Sequence, residues 1–266
     1  MHAFKYTRAQ SIESAVAALN AHEEAKLIAG GQTLLASLKL RLASPTLLID
    51  LGGIASLCGI HETNEGIAVG AMTKHAEVAV NDVIVRKIPG LASMASGIGD
   101  RMVRNMGTLG GSLANNDPAA DYPAALLALN ANVITTKRSI VADEFLVGMF
   151  ETALERSEII TSVQFKTPKI AAYVKFRQPA SRFAIVGVFV AQFADEVRVA
   201  VAGAGSVAFR LPEFEAALTQ DYAPHSVEGL TVDADSLSSD MHASAAYRAS
   251  LVPVIAGRAV AASLLQ

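Results

Sequence analysis

The chain has 266 residues, of which 52% are hydrophobic and 18% charged, with a formal net charge of -3. A chain this apolar can offset its ordering entropy by burial, which excludes disorder, and the weakly acidic balance leaves no basic footprint for nucleic acid. The single cysteine, Cys58, can form neither an internal disulfide nor a cysteine-ligated iron–sulfur cluster. The first residues, MHAFKYTRAQ, lack the charged-then-apolar pattern of a secretory signal. The most apolar run, 184–194, is too short for a transmembrane segment, so a soluble, cytoplasmic protein is expected.

Ile12, Val16 and Leu19 at helical spacing predict a helix over 11–21, with Ser11 as its N-cap. Ser14 stands where a capping box wants Glu or Gln, so that start signal reads as incomplete. A short apolar run at 26–29 ends on Gly30-Gly31, a helix follows over 33–42, and 46–51 reads as a strand stopped by Gly52-Gly53. Segments 57–60 and 66–71 suggest a hairpin around the turn-rich 61–65. From 73 to 95 the pattern is mainly helical, interrupted at Pro89-Gly90, whereas 97–117 is rich in Gly and Asn and predicted irregular. A helix over 118–130 would carry Pro118 in its first turn, where a missing N–H costs little.

Beyond Thr167-Pro168 the texture changes. Strands are predicted at 171–176, 185–194 and 197–202, then a short helix over 212–219 and a helical stretch over 245–265 kinked at Pro253. This strand-then-helix order suggests a separate C-terminal α+β layer. In the last stretch Tyr247, Leu251, Val254 and Ile255 form an apolar stripe, read as core or as a partner-facing patch.

Two glycine-rich segments carry the chemistry. The first, Ala29-Gly30-Gly31-Gln32-Thr33-Leu34-Leu35, joins a strand end to a helix start. Residues without side chains let backbone N–H groups approach an anion, so this is a pyrophosphate cradle or simply a tight turn. It matches neither GxGxxG nor the P-loop. The second segment, 104–121, gathers glycines, hydroxyls and amides in an otherwise apolar protein, as a ligand-lined or a solvated loop. With Asp121 available for a ribose hydroxyl, the residues point to a dinucleotide-like cofactor.

AGGQTL at 29–34, VRNMGTLGGSLANNDPAADYPAALLAL at 103–129, SEII at 157–160, YVKFRQPASRFAIV at 173–186 and SDMHASAAYR at 239–248 occur in this order. Together they resemble the FAD-binding (medium) subunit of the molybdenum hydroxylases, of the xanthine dehydrogenase and aerobic carbon monoxide dehydrogenase type. Met102 and Gln178-Pro179 depart from that pattern. The resemblance implies an α+β fold of the PCMH/VAO type over 1–168, with subdomains over roughly 1–56 and 57–168, followed by a smaller α+β domain over 169–266. It implies FAD in a cleft between these parts.

On this reading Lys26, Leu27, Ile28, Ala29, Gly30, Gly31, Gln32, Thr33, Leu34 and Leu35 wrap the pyrophosphate, mainly through backbone N–H groups. Thr108, Gly110, Gly111, Ser112, Ala114, Asn115 and Asp121 line the rest of the dinucleotide. Ile98 and Gly99 line the cleft, Ile159 and Ile160 flank the adenine side, and Lys175 approaches the flavin. Phe183 stands where relatives place an aromatic near the isoalloxazine, or else in a strand core.

The resemblance also implies partners: a large subunit with the molybdenum cofactor and a small one with two 2Fe-2S clusters, as a dimer of heterotrimers. Electrons would pass through FAD on this chain to NAD, oxygen or quinone. No catalytic or metal-ligating residue is then expected here, and no HExxH or G-x-S-x-G motif is present. His2, His22, His61, His75 and His242 read as surface or hydrogen-bonded residues. A stand-alone flavoprotein oxidoreductase and a flavin-free assembly subunit remain as alternatives.

Overall fold

The computed structural model describes residues 1–265. Its N-terminal sheet is parallel, with Leu47–Asp50 in the centre between Lys5–Arg8 and Ala25–Ile28. Parallel neighbours need crossovers, and the helices Ile12–Ala21 and Leu34–Lys39 supply them. The first begins with a complete capping box: Ser11 Oγ accepts the Ser14 N–H at 3.2 Å, and Ser14 Oγ accepts the Ser11 N–H at 3.1 Å. A hydroxyl at Ser14 thus does what a Glu or Gln usually does, correcting the incomplete start read from sequence.

The second sheet is antiparallel, in the order Ile60–Glu62, Gly66–Gly70, Ile160–Lys166, Asn132–Thr135, Ser139–Val141. The predicted hairpin is present but displaced: 55–57 forms a 3-10 turn and pairing begins at Ile60. Helices cover one face of this sheet. The stretch 73–95 divides into His75–Val80, Asp82–Lys87 and Pro89–Ser96. Asn81 ends the first and caps the second by accepting the N–H groups of Val83 and Ile84, and Pro89 opens the third rather than interrupting it.

The segment predicted irregular, 97–117, holds two helices, Arg101–Met106 and Leu109–Asn115. Each has a side-chain cap: Asp100 Oδ1 accepts the Val103 N–H and Thr108 Oγ1 accepts the Gly111 N–H. Buried Leu109 and Leu113, one turn apart, anchor the second helix despite its low propensity at Gly110-Gly111. The next helix spans Tyr122–Ala128 with Pro123, not Pro118, in its first turn.

The left-handed Asn116 (φ 42) ends the helix Leu109–Asn115 and donates Nδ2 to the carbonyls of Gly148 and Glu151, both at 2.8 Å. It thereby staples the hairpin Leu146–Gly148/Glu151–Thr152 beneath the glycine-rich segment. Asn116→Ala is expected to destabilise the chain by about 2 kcal/mol, because two part-buried hydrogen bonds are lost and alanine resists the left-handed region. Urea unfolding of the variant against the parent checks this.

The third sheet runs Ile170–Arg177, Ala184–Gln192, Val197–Ala202, Phe209–Arg210, all antiparallel. It is buried on both sides, which is why 184–194 reads as one continuous apolar run. Phe189 and Ala191 face the core of the second sheet and its helices, and Val188 and Val190 face the helix Ala245–Ser263. In that helix Ile255 is core, whereas Tyr247 and Val254 are exposed. The fold is thus α+β, with one sheet shared between two cores.

Candidate functional site

The strand Ala25–Ile28 delivers Gly30-Gly31 against the junction between the helices Arg101–Met106 and Leu109–Asn115. The two glycine segments touch through backbone: a methyl group on Gly30 would overlap the carbonyl oxygen of Met106 and lie 2.7 Å from Gly107 Cα. Gly110 is equally tight, since its N–H donates to Ala71 O at 2.8 Å and an added Cβ would lie 2.6 Å from Ala71 Cβ. Close backbone approach therefore explains both glycines before any ligand is considered.

These segments wall a cleft of about 420 Å³. Residues 26–34 line one side, together with Thr108, Gly110, Gly111, Ser112, Ala114 and Asn115. Ile98, Gly99, Asp121, Ile159, Ile160 and Phe183 complete the predicted set. Two predicted residues stand outside the lining: Leu35 turns back over Gly31, and Lys175 lies behind Asp121. Phe183 is 45% exposed just ahead of the strand Ala184–Gln192, at the cleft and not in a strand core.

The two segments divide their hydrogen bonding unequally. In the second, Leu109, Gly110, Gly111 and Ser112 donate to Thr73 O, Ala71 O, Thr108 Oγ1 and Thr108 O. In the first, among the described residues, no acceptor takes the backbone N–H groups of Gly30, Gly31, Gln32 or Thr33. Four free donors beside a glycine pair are what an anionic group needs. The second segment supplies shape and the first supplies donors.

Asp121 sits at the start of the helix Tyr122–Ala128 and is buried. Its Oδ2 accepts from Lys175 Nζ at 2.7 Å and its Oδ1 from Tyr173 Oη at 2.5 Å. Burial pushes its carboxyl above the ordinary range, and Lys175 and Tyr173 oppose that rise. Behind Ile159, Glu158 accepts from Arg138, from Thr135 Oγ1 and from the Glu155 N–H. Burial there is outweighed by these donors, which bring Glu158 down to about 2 and fix the chain that leads to Ile159 and Ile160.

Several lining residues carry no signal in the sequence reading. His75, expected at the surface or hydrogen-bonded, is 5% exposed and lines the cleft, with Nδ1 buried and unpartnered. Its backbone N–H donates to Gly107 O, and burial together with nearby Arg104 lowers the ring's pKa to about 4, so the imidazole is neutral. Arg182 donates to Gly99 O at 3.0 Å, tying the Phe183 loop to the left-handed Gly99 (φ +46). A lone His in TKHAE and an Arg in a turn resemble ordinary surface residues; the structure alone brings them here.

A family described as the FAD binding domain in molybdopterin dehydrogenase matches residues 2–168. The chain belongs to this family. It is 36% identical to the nicotine 6-hydroxylase medium subunit of Paenarthrobacter nicotinovorans, over 97% of this chain and 96% of that protein. It is 33% identical to the glyceraldehyde dehydrogenase medium chain of Sulfolobus acidocaldarius, over 80% and 79%. Among solved structures, carbon monoxide dehydrogenase from Hydrogenophaga pseudoflava superposes with a TM-score of 0.89 at 29% identity, covering 99% of this chain and 98% of that one. Quinoline 2-oxidoreductase from Pseudomonas putida 86 gives 0.88 at 27%, covering 99% and 98%.

The molybdenum hydroxylase medium subunits are FAD-binding members of multi-subunit oxidoreductases, and this chain is one of them. The residues present fit FAD: two glycine segments in close backbone contact, four free N–H donors on the first of them, and a largely apolar cleft beside them. Among the described residues, no helix is long and apolar enough to cross a membrane.

Proposed function

We propose that this chain is the electron relay of a molybdenum hydroxylase, standing between 2Fe-2S clusters on a small partner subunit and an acceptor such as NAD, oxygen or quinone. A large partner subunit would carry the molybdenum cofactor and choose the organic substrate. The observation that carries the reading is the meeting of two glycine segments over free backbone donors, in a chain with one exposed cysteine and so no cluster ligands of its own. FAD, when bound, supplies the redox chemistry; the protein's task is to bind it, orient it and leave its reactive edge reachable.

The family resemblance suggests which residues serve that task, and their place in the cleft wall supports it. Gly30, Gly31, Gln32 and Thr33 would present N–H groups to the pyrophosphate, and Thr108, Gly110, Gly111, Ser112, Ala114 and Asn115 would shape the facing wall. Asp121, held by Lys175, would face a ribose hydroxyl. Ile159 and Ile160 would flank the adenine, and Phe183, Ile98 and Gly99 the flavin end. The same reading divides the chain near residue 168, assembles it as a dimer of heterotrimers and places it in the cytoplasm.

Equilibrium titration of the full chain with FAD, followed by flavin fluorescence, tests this assignment. One FAD per chain is expected, displaced by ADP, which shares its adenosine and pyrophosphate. Saturable FAD binding that ADP does not compete would remove the pyrophosphate from the Gly30–Thr33 donors.

A further inference from the structure

Tyr173 and Lys175 are two residues apart on the strand Ile170–Arg177, so both side chains leave the sheet on one face. Both end on Asp121, which belongs to the neighbouring layer. Lys175 alone would neutralise the carboxylate. Tyr173 adds a donor to the other oxygen, and a carboxylate held at both oxygens by different side chains cannot rotate. Gly187, opposite Lys175 on the paired strand, makes this possible: any side chain there would overlap the Tyr173 hydroxyl, and its Cβ would lie 2.8 Å from Tyr173 Cζ. The Tyr173 ring packs 6.0 Å from Phe189, so its position in the core does not depend on the hydroxyl.

We propose that Tyr173 is a positioning residue of the cofactor cleft, its hydroxyl reaching through the gap at Gly187 to fix the Asp121 carboxylate in the cleft wall. The assignment rests on the reading of this cleft as the FAD site. It makes the third sheet a working part of that site: the sheet sets the orientation of an acid it does not itself carry. Tyr173 remains protonated, since burial and then the neighbouring Asp121 push its pKa well above the ordinary value, so its hydroxyl keeps the proton it donates to the carboxylate. The titratable groups facing Asp121 are Tyr173 and Lys175 from the strand and Tyr122 from its own helix.

The test compares the full-length parent with Tyr173→Phe, Gly187→Ala and the double variant. Tyr173→Phe is expected to weaken FAD binding about tenfold, because Asp121 loses a donor that fixes its orientation, and to lower the unfolding midpoint as well, because the same bond is present in the cofactor-free chain. It also removes a donor that favours ionised Asp121, so FAD affinity should begin to fall at a higher pH than in the parent. Gly187→Ala, by displacing the same hydroxyl, should weaken FAD comparably, and the double variant should be clearly less than additive. Unchanged affinity and pH profile in Tyr173→Phe, or full additivity in the cycle, would overturn the assignment. If the parent itself bound no FAD, the cofactor reading would fail separately. Carbon-13 NMR of the Asp121 carboxyl in the cofactor-free chain then decides the clasp: an upward shift of its titration in Tyr173→Phe supports it, and no shift rejects it.

Discussion

Gly30→Ala is expected to strip the chain of its FAD. The added methyl group has nowhere to go: it meets the carbonyl oxygen of Met106 and the Cα of Gly107, and both are backbone. The two glycine segments must therefore move apart, carrying the free donors of Gly30, Gly31, Gln32 and Thr33 away from the opposite wall. Displacement by about 1 Å at a positioned site costs on the order of 100-fold, and overpacking adds a stability loss of about 1–3 kcal/mol. Gly111 provides the contrast, because its Cβ would meet Thr108 Oγ1 at 2.9 Å and Ala29 Cβ at 3.4 Å, and side chains can adjust. Gly111→Ala should retain FAD within a few-fold of the parent, while Gly111→Val, a bulkier branched side chain at a position lining the cleft, should lose it with the fold intact. Flavin-to-protein ratios and urea midpoints for the three variants check the ordering. A Gly30→Ala chain with normal flavin content would refute the contact as the organising feature of the site.

The second large effect concerns acid. His75 titrates near 4 in the folded chain because burial, and then Arg104, disfavour its charged form, against an ordinary value of 6.5. Above pH 6.5 both folded and unfolded states hold it neutral, and it contributes nothing. As pH falls from 6.5 towards 4, the unfolded chain gains a proton that the folded chain refuses, so stability declines. The loss attributable to His75 reaches about 3 kcal/mol near pH 4 and grows no further below it. His75→Leu should remove this slope, and should gain at neutral pH from losing an unpartnered buried nitrogen. Urea unfolding at pH 7 and pH 4.5 measures the difference between parent and variant, which cancels the other titrating groups. Parallel losses in the two proteins would show that His75 is solvated or paired.

These two residues mark what was and was not legible in the sequence. Gly30 was legible because a glycine pair after an apolar run is a local signal, and the second segment because its polarity contrasts with its surroundings. The helices inside 97–117 were missed because propensity counts glycines against a helix, whereas Gly110 is placed by tertiary contact with Ala71 and its helix by the Thr108 cap. Strands at Asn132–Thr135, Ser139–Val141 and Ile160–Lys166 went unassigned; two have four residues or fewer, too short for alternation to stand out. His75, Arg182 and the Tyr173–Asp121 bond depend on contacts between segments 32 to 83 residues apart, which no window along the chain can show. The strands Ala184–Gln192 and Val197–Ala202 are legible because burial on both faces makes their apolar runs continuous.

Rapid mixing under anaerobic conditions tests the central claim most directly. The FAD-loaded chain, alone and assembled with its iron–sulfur and molybdenum subunits, is mixed with the organic substrate of the complex while the flavin and cluster absorbances are followed. The relay account predicts no flavin bleaching in the isolated chain, and in the assembly bleaching that requires the clusters. Direct reduction of the isolated chain's flavin by that substrate would contradict it and make this chain a flavoenzyme in its own right.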